Sequence, residues 1–112
     1  MRGHALIIGA GIAGLTAGHA LLQAGWSVEI RERSARPPTT GTALGMWPEA
    51  MRALDSIGFG DRIRARSIHQ AGGAILRADG RMITRLTPNL SAHLVTRPVL
   101  LETLAGALPP AN

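Results

Sequence analysis

The 112-residue sequence contains no cysteine, no lysine and few aromatic residues, namely Trp26, Trp47 and Phe59. Without cysteine there is no disulfide, no cysteine-ligated zinc and no thiol nucleophile. A chain without disulfides fits the cytoplasm, which is the expected location. Long apolar runs are missing too. Ala5 to Ile8 is far too short to cross a bilayer, and the glycines that follow it do not form a signal-peptide cleavage pattern, so no membrane is expected. With so few aromatics there is no stacking platform for single-stranded nucleic acid. The formal net charge of +5 rests on twelve arginines. They are scattered along the chain, as solvated side chains are, and no nucleic-acid partner is expected. Only Arg62, Arg64 and Arg66 cluster, and their i, i+2 spacing shares a face in a strand but not in a helix. His4, His19, His69 and His93 do not have metal-ligand spacing, so no metal is expected. His19 lies inside a helix pattern and reads as a packed or surface residue.

What is present is globular in composition, 46% hydrophobic and 17% charged. Ala5–Leu6–Ile7–Ile8 reads as a short buried strand bounded by glycine. Ile12 to Ala24 reads as a helix with Leu15, Leu21 and Leu22 on it and small residues between them. Gly25 stands where a helix-ending glycine belongs. Ser27 to Arg31, with Val28 and Ile30 alternating, reads as a second strand. The order is that of a βαβ unit, with parallel strands and a right-handed crossover.

The remainder is less regular. Ser34 to Thr42 reads as a loop. Pro48 opens a helix whose residues Ala50, Met51, Ala53, Leu54 and Ile57 repeat at helical spacing, with Gly58 and Gly60 ending it. Ala74 to Arg85 reads as a hairpin turning on Asp79–Gly80. Leu94–Val95 reads as a brief strand. Pro98 to Leu108 reads as a helix with Thr96 or Arg97 near its N-cap and Pro109–Pro110 stopping it, before a loop to Asn112. Two parallel strands leave open sheet edges and uncovered faces, so the expectation is an incomplete, truncated fold.

Gly9–Ala10–Gly11–Ile12–Ala13–Gly14 matches G-x-G-x-x-G, a weak pattern alone. Its place between a strand and a helix, with Glu32 ending the next strand, makes it specific. Gly9 permits the tight turn, Gly11 lets backbone approach a pyrophosphate, and Gly14 lets helix and strand pack closely. The amides of the helix start then face the diphosphate. Glu32 can accept hydrogen bonds from ribose hydroxyls, and its charge disfavours the 2′-phosphate of NADP. Arg33 beside it could accommodate that phosphate or lie against adenine. These residues leave FAD and NAD open.

A resemblance separates the two. Gly9-x-Gly11-x-x-Gly14-Leu15, Gly18, Gly25, Val28 and Glu32–Arg33 together resemble the extended FAD signature of the aromatic-ring hydroxylases. These are FAD-dependent monooxygenases with the p-hydroxybenzoate hydroxylase fold. The segment from Gly41 through Met46-Trp47-Pro48-Glu49-Ala50 to Gly58 is similar to that family's flavin-side loop and following helix, with Glu49 where the family usually has Asn. Val95-Thr96-Arg97-Pro98-Val99-Leu100 is similar to the segment whose arginine reaches FAD, which maps to Arg97.

The resemblance implies an α/β, Rossmann-like FAD-binding region over residues 1–112, incomplete, with residues 68–96 beginning a substrate-domain sheet. It implies FAD as cofactor, held by Gly9, Gly11, Ile12, Ala13, Gly14, Glu32, Arg33 and Arg97. In the complete family enzyme NAD(P)H is the electron donor, and oxygen hydroxylates an aromatic or polyketide-like small molecule. The family's later Asp-Gly and Gly-Asp motifs are not found here; Asp79–Gly80 belongs to a hairpin signal. No catalytic residue is identified, and a fragment inactive alone is expected. The alternative is a free-standing NAD or FAD nucleotide-binding module without catalysis.

Overall fold

Strand β1 (His4–Ile8), helix α1 (Ile12–Gln23) and strand β2 (Ser27–Arg31) form the expected βαβ unit. This computed structural model describes residues 2–86 and 91–109. The strands pair in parallel, with Ala5 opposite Val28 and Ile7 opposite Ile30. Gly25 ends α1 with φ +89°, and its N–H reaches the Leu22 carbonyl while that of Trp26 reaches Leu21. That pair of bonds is the Schellman arrangement, which needs a left-handed residue and so favours glycine. Helix α1 lies close on β2: a Cβ at position 18 would stand 2.8 Å from Ile30 Cδ1. Leu15 is buried beneath it. Side chains alternate along β1, so Leu6 and Ile8 point to the sheet's other face, where both are exposed.

Strand β3 (Ala43–Met46) was not expected, because its residues read as part of a glycine-rich loop. Helix α2 (Pro48–Ser56) follows, beginning at the proline as predicted. It closes with the same pair of carbonyl-satisfying bonds, from Gly58 to Asp55 and from Phe59 to Leu54. A short helix α3 (Gly60–Ala65) then appears where Gly60 had read as a stop. Strands β4 (Ile68–Gln70), β5 (Ala74–Leu76), β6 (Met82–Arg85) and β7 (Ala92–Thr96) come next, and helix α4 (Arg97–Gly106) follows. Helix α4 thus starts one residue before Pro98 and ends before Leu108. The predicted stop at Pro110 and the loop to Asn112 lie outside the described residues.

Strand β7 is the centre of a second, antiparallel sheet of order β3-β7-β4. The β5–β6 hairpin stands apart from both sheets, turning where Asp79 accepts a bond from the Arg81 amide. Its apolar residues Ile75, Leu76, Met82 and Ile83 are all exposed.

The core lies where α1, α2, α3, α4 and β7 meet, around Leu15, Met51, Leu54, Phe59, Ile63, Val95, Leu100 and Leu104. His19 belongs to it. Its Nε2 donates to the Leu104 carbonyl at 2.7 Å, and its ring lies 4.5 Å from that of Phe59. Helix α3 separates the three arginines that formed a cluster in sequence. Arg62 lies over the Phe59 ring, Arg64 binds Asp55 and Asp61, and Arg66 reaches Glu102. Among the described residues no helix is long and apolar enough to cross a membrane.

Candidate nucleotide site

The site begins with the turn from β1 into α1. Gly9 has φ +104°, a conformation that side-chain-bearing residues rarely adopt. Its N–H reaches the Arg31 carbonyl at 2.7 Å, which ties the turn to the end of β2. A methyl group at Gly14 would collide with the Gly9 carbonyl oxygen and stand 3.3 Å from Ile7 Cγ2. Glycine there lets the helix start close against the turn. At Gly11 no atom beyond its own chain neighbours lies within 4 Å of where a Cβ would be. Open space therefore sits over the N-terminus of α1.

That N-terminus is uncapped by any side chain, and its first turn has no acidic residue. The first amides of a helix have no intrahelical acceptor, and the helix dipole places positive potential there. Gly11, Ile12 and Ala13 thus offer backbone donors toward an anion.

Glu32 lies one residue beyond β2. Its Oε1 accepts from the Ala10 amide at 3.0 Å, and its Oε2 accepts from the Ser34 amide at 2.8 Å. The Ser34 bond and then the Ala10 bond hold its pKa below the ordinary carboxylate value, against the opposing effect of burial. The group is ionised at neutral pH.

A cavity of about 300 Å³ joins these parts. Gly11 and Glu32 stand on one wall, Ser34 to Pro38 on another, and Arg97, Leu101 and Ala105 of α4 on the third. Arg97 is held by its own amide, which donates to the Thr42 carbonyl at 3.1 Å. Gly41 is close by: a Cβ there would be 3.2 Å from Arg97 Cβ. The Gly41 segment and Arg97 are therefore brought together. Among the described residues neither Arg36 nor Arg97 has an ion-pair partner, although both line the cavity. Arg97 also begins α4, where a cation opposes the helix dipole unless an anion is near.

Of the residues named from sequence, Gly11, Glu32 and Arg97 line the cavity. Gly9 and Gly14 shape the turn behind it, Ile12 and Ala13 supply the first helical turn, and Arg33 is not on the wall. Sequence reasoning missed Leu15, Ser34 to Pro38, Leu101 and Ala105. One signal was available: Arg97, Leu101 and Ala105 recur every four residues, which puts them on one helix face. No group of three metal-ligating side chains occurs among the described residues.

The donor set fits the ADP half of a dinucleotide. Helix amides and two unpaired guanidiniums suit a diphosphate. The carboxylate suits ribose hydroxyls, and Leu15, Pro37 and Leu101 offer apolar surface to a base. The volume lies at the lower end of the range for ligand cavities.

The chain is 34% identical over 106 residues to 2-heptyl-3-hydroxy-4(1H)-quinolone synthase of Mycobacteroides abscessus, covering 95% of this chain and 28% of that protein. It is 34% identical over 112 aligned positions to 6-methylpretetramide 4-monooxygenase of Streptomyces rimosus, covering 90% of this chain and 20% of that one. A solved structure of 2-methyl-3-hydroxypyridine-5-carboxylic acid oxygenase, in tetrameric form, superposes with a TM-score of 0.81 at 27% identity. That match covers 95% of this chain and 28% of the oxygenase. The chain therefore spans less than a third of the length of each of these relatives. Residues 2–104 match the family described as FAD binding domain, and the chain belongs to that family.

Proposed function

We propose that the cavity holds the ADP half of FAD, and that the chain is the FAD-binding region of an NAD(P)H- and oxygen-dependent monooxygenase. The observation that carries this is the convergence of Glu32, the open N-terminus of α1 and Arg97 on one cavity. The α1 amides of Gly11 to Ala13 bind the diphosphate. Glu32 accepts from the ribose with the lone pairs its two backbone bonds leave free. Arg97, fixed against Thr42, extends its guanidinium toward the phosphates or the flavin side. The apolar residues of α4 and the Pro37–Pro38 segment shut water away from the base.

The bound flavin would supply the electron transfer and oxygen chemistry. The similarity to a quinolone synthase, a 6-methylpretetramide monooxygenase and a hydroxypyridine-carboxylic acid oxygenase supports an aromatic or polyketide-like small molecule as substrate. On this reading residues 68–96 begin the substrate region, and the hairpin with its exposed apolar side chains belongs to that region. The cytoplasm, where reduced nicotinamide cofactors are at hand, is the proposed location. A second reading, a nucleotide-binding module without catalysis, is favoured by one observation. Among the described residues the ionisable side chains lining the cavity are Glu32, Arg36 and Arg97, types that suit ribose hydroxyls and phosphates.

Titration with ADP and with FAD tests the site. Glu32→Ala is expected to weaken binding by roughly 1.5–3 kcal/mol, the scale of a charge-assisted hydrogen-bonding group. Glu29→Ala, at a carboxylate already paired with Arg31, is expected to leave affinity unchanged. Equal effects of the two substitutions would remove Glu32 from the site.

A further inference from the structure

The two bonds of Glu32 span two separate segments. Ala10 lies in the glycine turn, 22 residues earlier, and Ser34 opens the segment that forms another cavity wall. Other contacts hold the two ends of the turn: the Gly11 carbonyl accepts from the Leu15 amide, and Ala10 packs against the core. Gly9 bonds to Arg31, and no atom beyond the chain neighbours of Gly11 lies near the position of a Cβ there. A Gly-Ala-Gly backbone has much conformational freedom to lose on ordering. The Glu32 carboxylate is the side chain placed to fix the middle of the turn, at the Ala10 amide, in the shape that receives a diphosphate.

We propose that Glu32 is a positioning residue: it fastens the glycine turn to the Ser34–Pro38 segment in the nucleotide-receiving shape before any nucleotide is bound. The inference rests on the reading of the cavity as a nucleotide site and adds a second role to a residue expected to meet the ribose. The two roles are compatible, because each carboxylate oxygen has two acceptor sites and the backbone uses one of each. The lowered pKa of Glu32, set by those same two amides, keeps the fastening charged and strong at neutral pH. A preformed site loses less conformational freedom when its ligand arrives, so part of the affinity owed to Glu32 is independent of the ribose hydroxyls.

The test uses the whole 112-residue chain, with Glu32→Ala and Glu32→Gln. Two quantities are measured. The first is amide hydrogen exchange at Ala10 and Ser34 without nucleotide. The second is affinity for ADP and for 2′,3′-dideoxy-ADP, which lacks the hydroxyls that a ribose partner would bind. Glu32→Ala is expected to speed exchange at both amides about tenfold, one lost hydrogen bond's worth. Exchange at Val28 and Ile30 within β2 stays unchanged, which reports an intact fold. Dideoxy-ADP binding falls severalfold, and ADP binding falls further. Glu32→Gln, retaining one carbonyl acceptor, is expected to fall between wild type and Glu32→Ala in both measurements.

Unchanged exchange at Ala10 and Ser34 overturns the proposal even if ADP affinity drops. So does a loss confined to ADP, with dideoxy-ADP bound equally by wild type and variant. Faster exchange in a chain that binds neither nucleotide keeps the positioning role and overturns the nucleotide reading instead.

Discussion

His69 stacks on His93 across the β4–β7 pair, with ring centroids 4.7 Å apart and planes 21° from parallel. Each ring also has a serine hydroxyl: Ser91 for His69 and Ser67 for His93. Arg64 is the nearby cation. Burial first, then the neighbouring His69 and Arg64, lower the pKa of His93 below its ordinary value. The folded state thus prefers a neutral His93. The stability this gives is complete above the unfolded-state value of about 6.5 and is lost as pH falls from there through the folded value. Chemical denaturation at pH 7.5 and 5.5 is expected to show a lower midpoint at the acid value. His93→Gln should flatten that dependence. An identical pH dependence in the two proteins would show that His93 does not resist protonation.

A second prediction concerns His19. Its ring fills space against Phe59 and satisfies the Leu104 carbonyl across the α1–α4 contact. His19→Ala leaves a cavity and a buried carbonyl without its donor. The expected loss is about 2–4 kcal/mol, combining truncation of a buried ring with an unmet acceptor. Urea denaturation measures it. A change below about 0.5 kcal/mol would mean that water or a shifted α4 repairs the site.

Gly11 and Gly14 are expected to behave oppositely. At Gly11 there is room for a side chain in the protein itself. Gly11→Val should therefore leave the helix content by circular dichroism nearly unchanged. It should abolish nucleotide binding, because its branches occupy the diphosphate's space. At Gly14 even a methyl group meets the Gly9 carbonyl oxygen. Gly14→Ala should distort the turn and lower the unfolding midpoint as well. Retained binding in Gly11→Val would show that Gly11 does not face the diphosphate.

The contrast between these glycines bears on what the sequence could disclose. The βαβ unit was legible because its signals are local: an apolar strand, a glycine turn, a helix and a glycine stop, all within about thirty residues. Helix α2, the hairpin and α4 carried similar local marks in Pro48, Asp79–Gly80 and Thr96. Strand β3 carried none, since Ala43–Met46 is short and contains a glycine. It exists because Leu44 pairs with Val95 on β7, far along the chain. Helix α3 was hidden for a related reason. It starts at a glycine, and what secures it is Ile63 in the core and Arg64 bridging back to Asp55. The cavity was half legible. Motif spacing named the wall that meets the phosphates and ribose. The walls built from the Pro37–Pro38 segment and from Leu101 and Ala105 depend on how α4 docks on α1, which no local pattern states.

Leu6 and Ile8 are exposed on the face of the parallel sheet away from α1, at 52% and 76%. Ile75, Leu76, Met82 and Ile83 are exposed on the hairpin. Exposed apolar side chains favour association in water, and a two-stranded parallel sheet leaves strand edges open to pairing. On the proposed reading the cavity takes the ADP half of FAD, and few described groups are left to hold the flavin half. Each missing 1.4 kcal/mol of contact is about a tenfold loss of affinity. The 112-residue chain purified alone is therefore expected to be colourless, to self-associate on gel filtration, and to show no NAD(P)H-dependent oxygen uptake. Leu6→Thr with Ile8→Thr should reduce the association without affecting ADP binding, because neither residue lines the cavity. Visible absorption of the purified chain decides the matter. Stoichiometric flavin bands that survive gel filtration would mean that the contacts described here suffice to hold the whole cofactor.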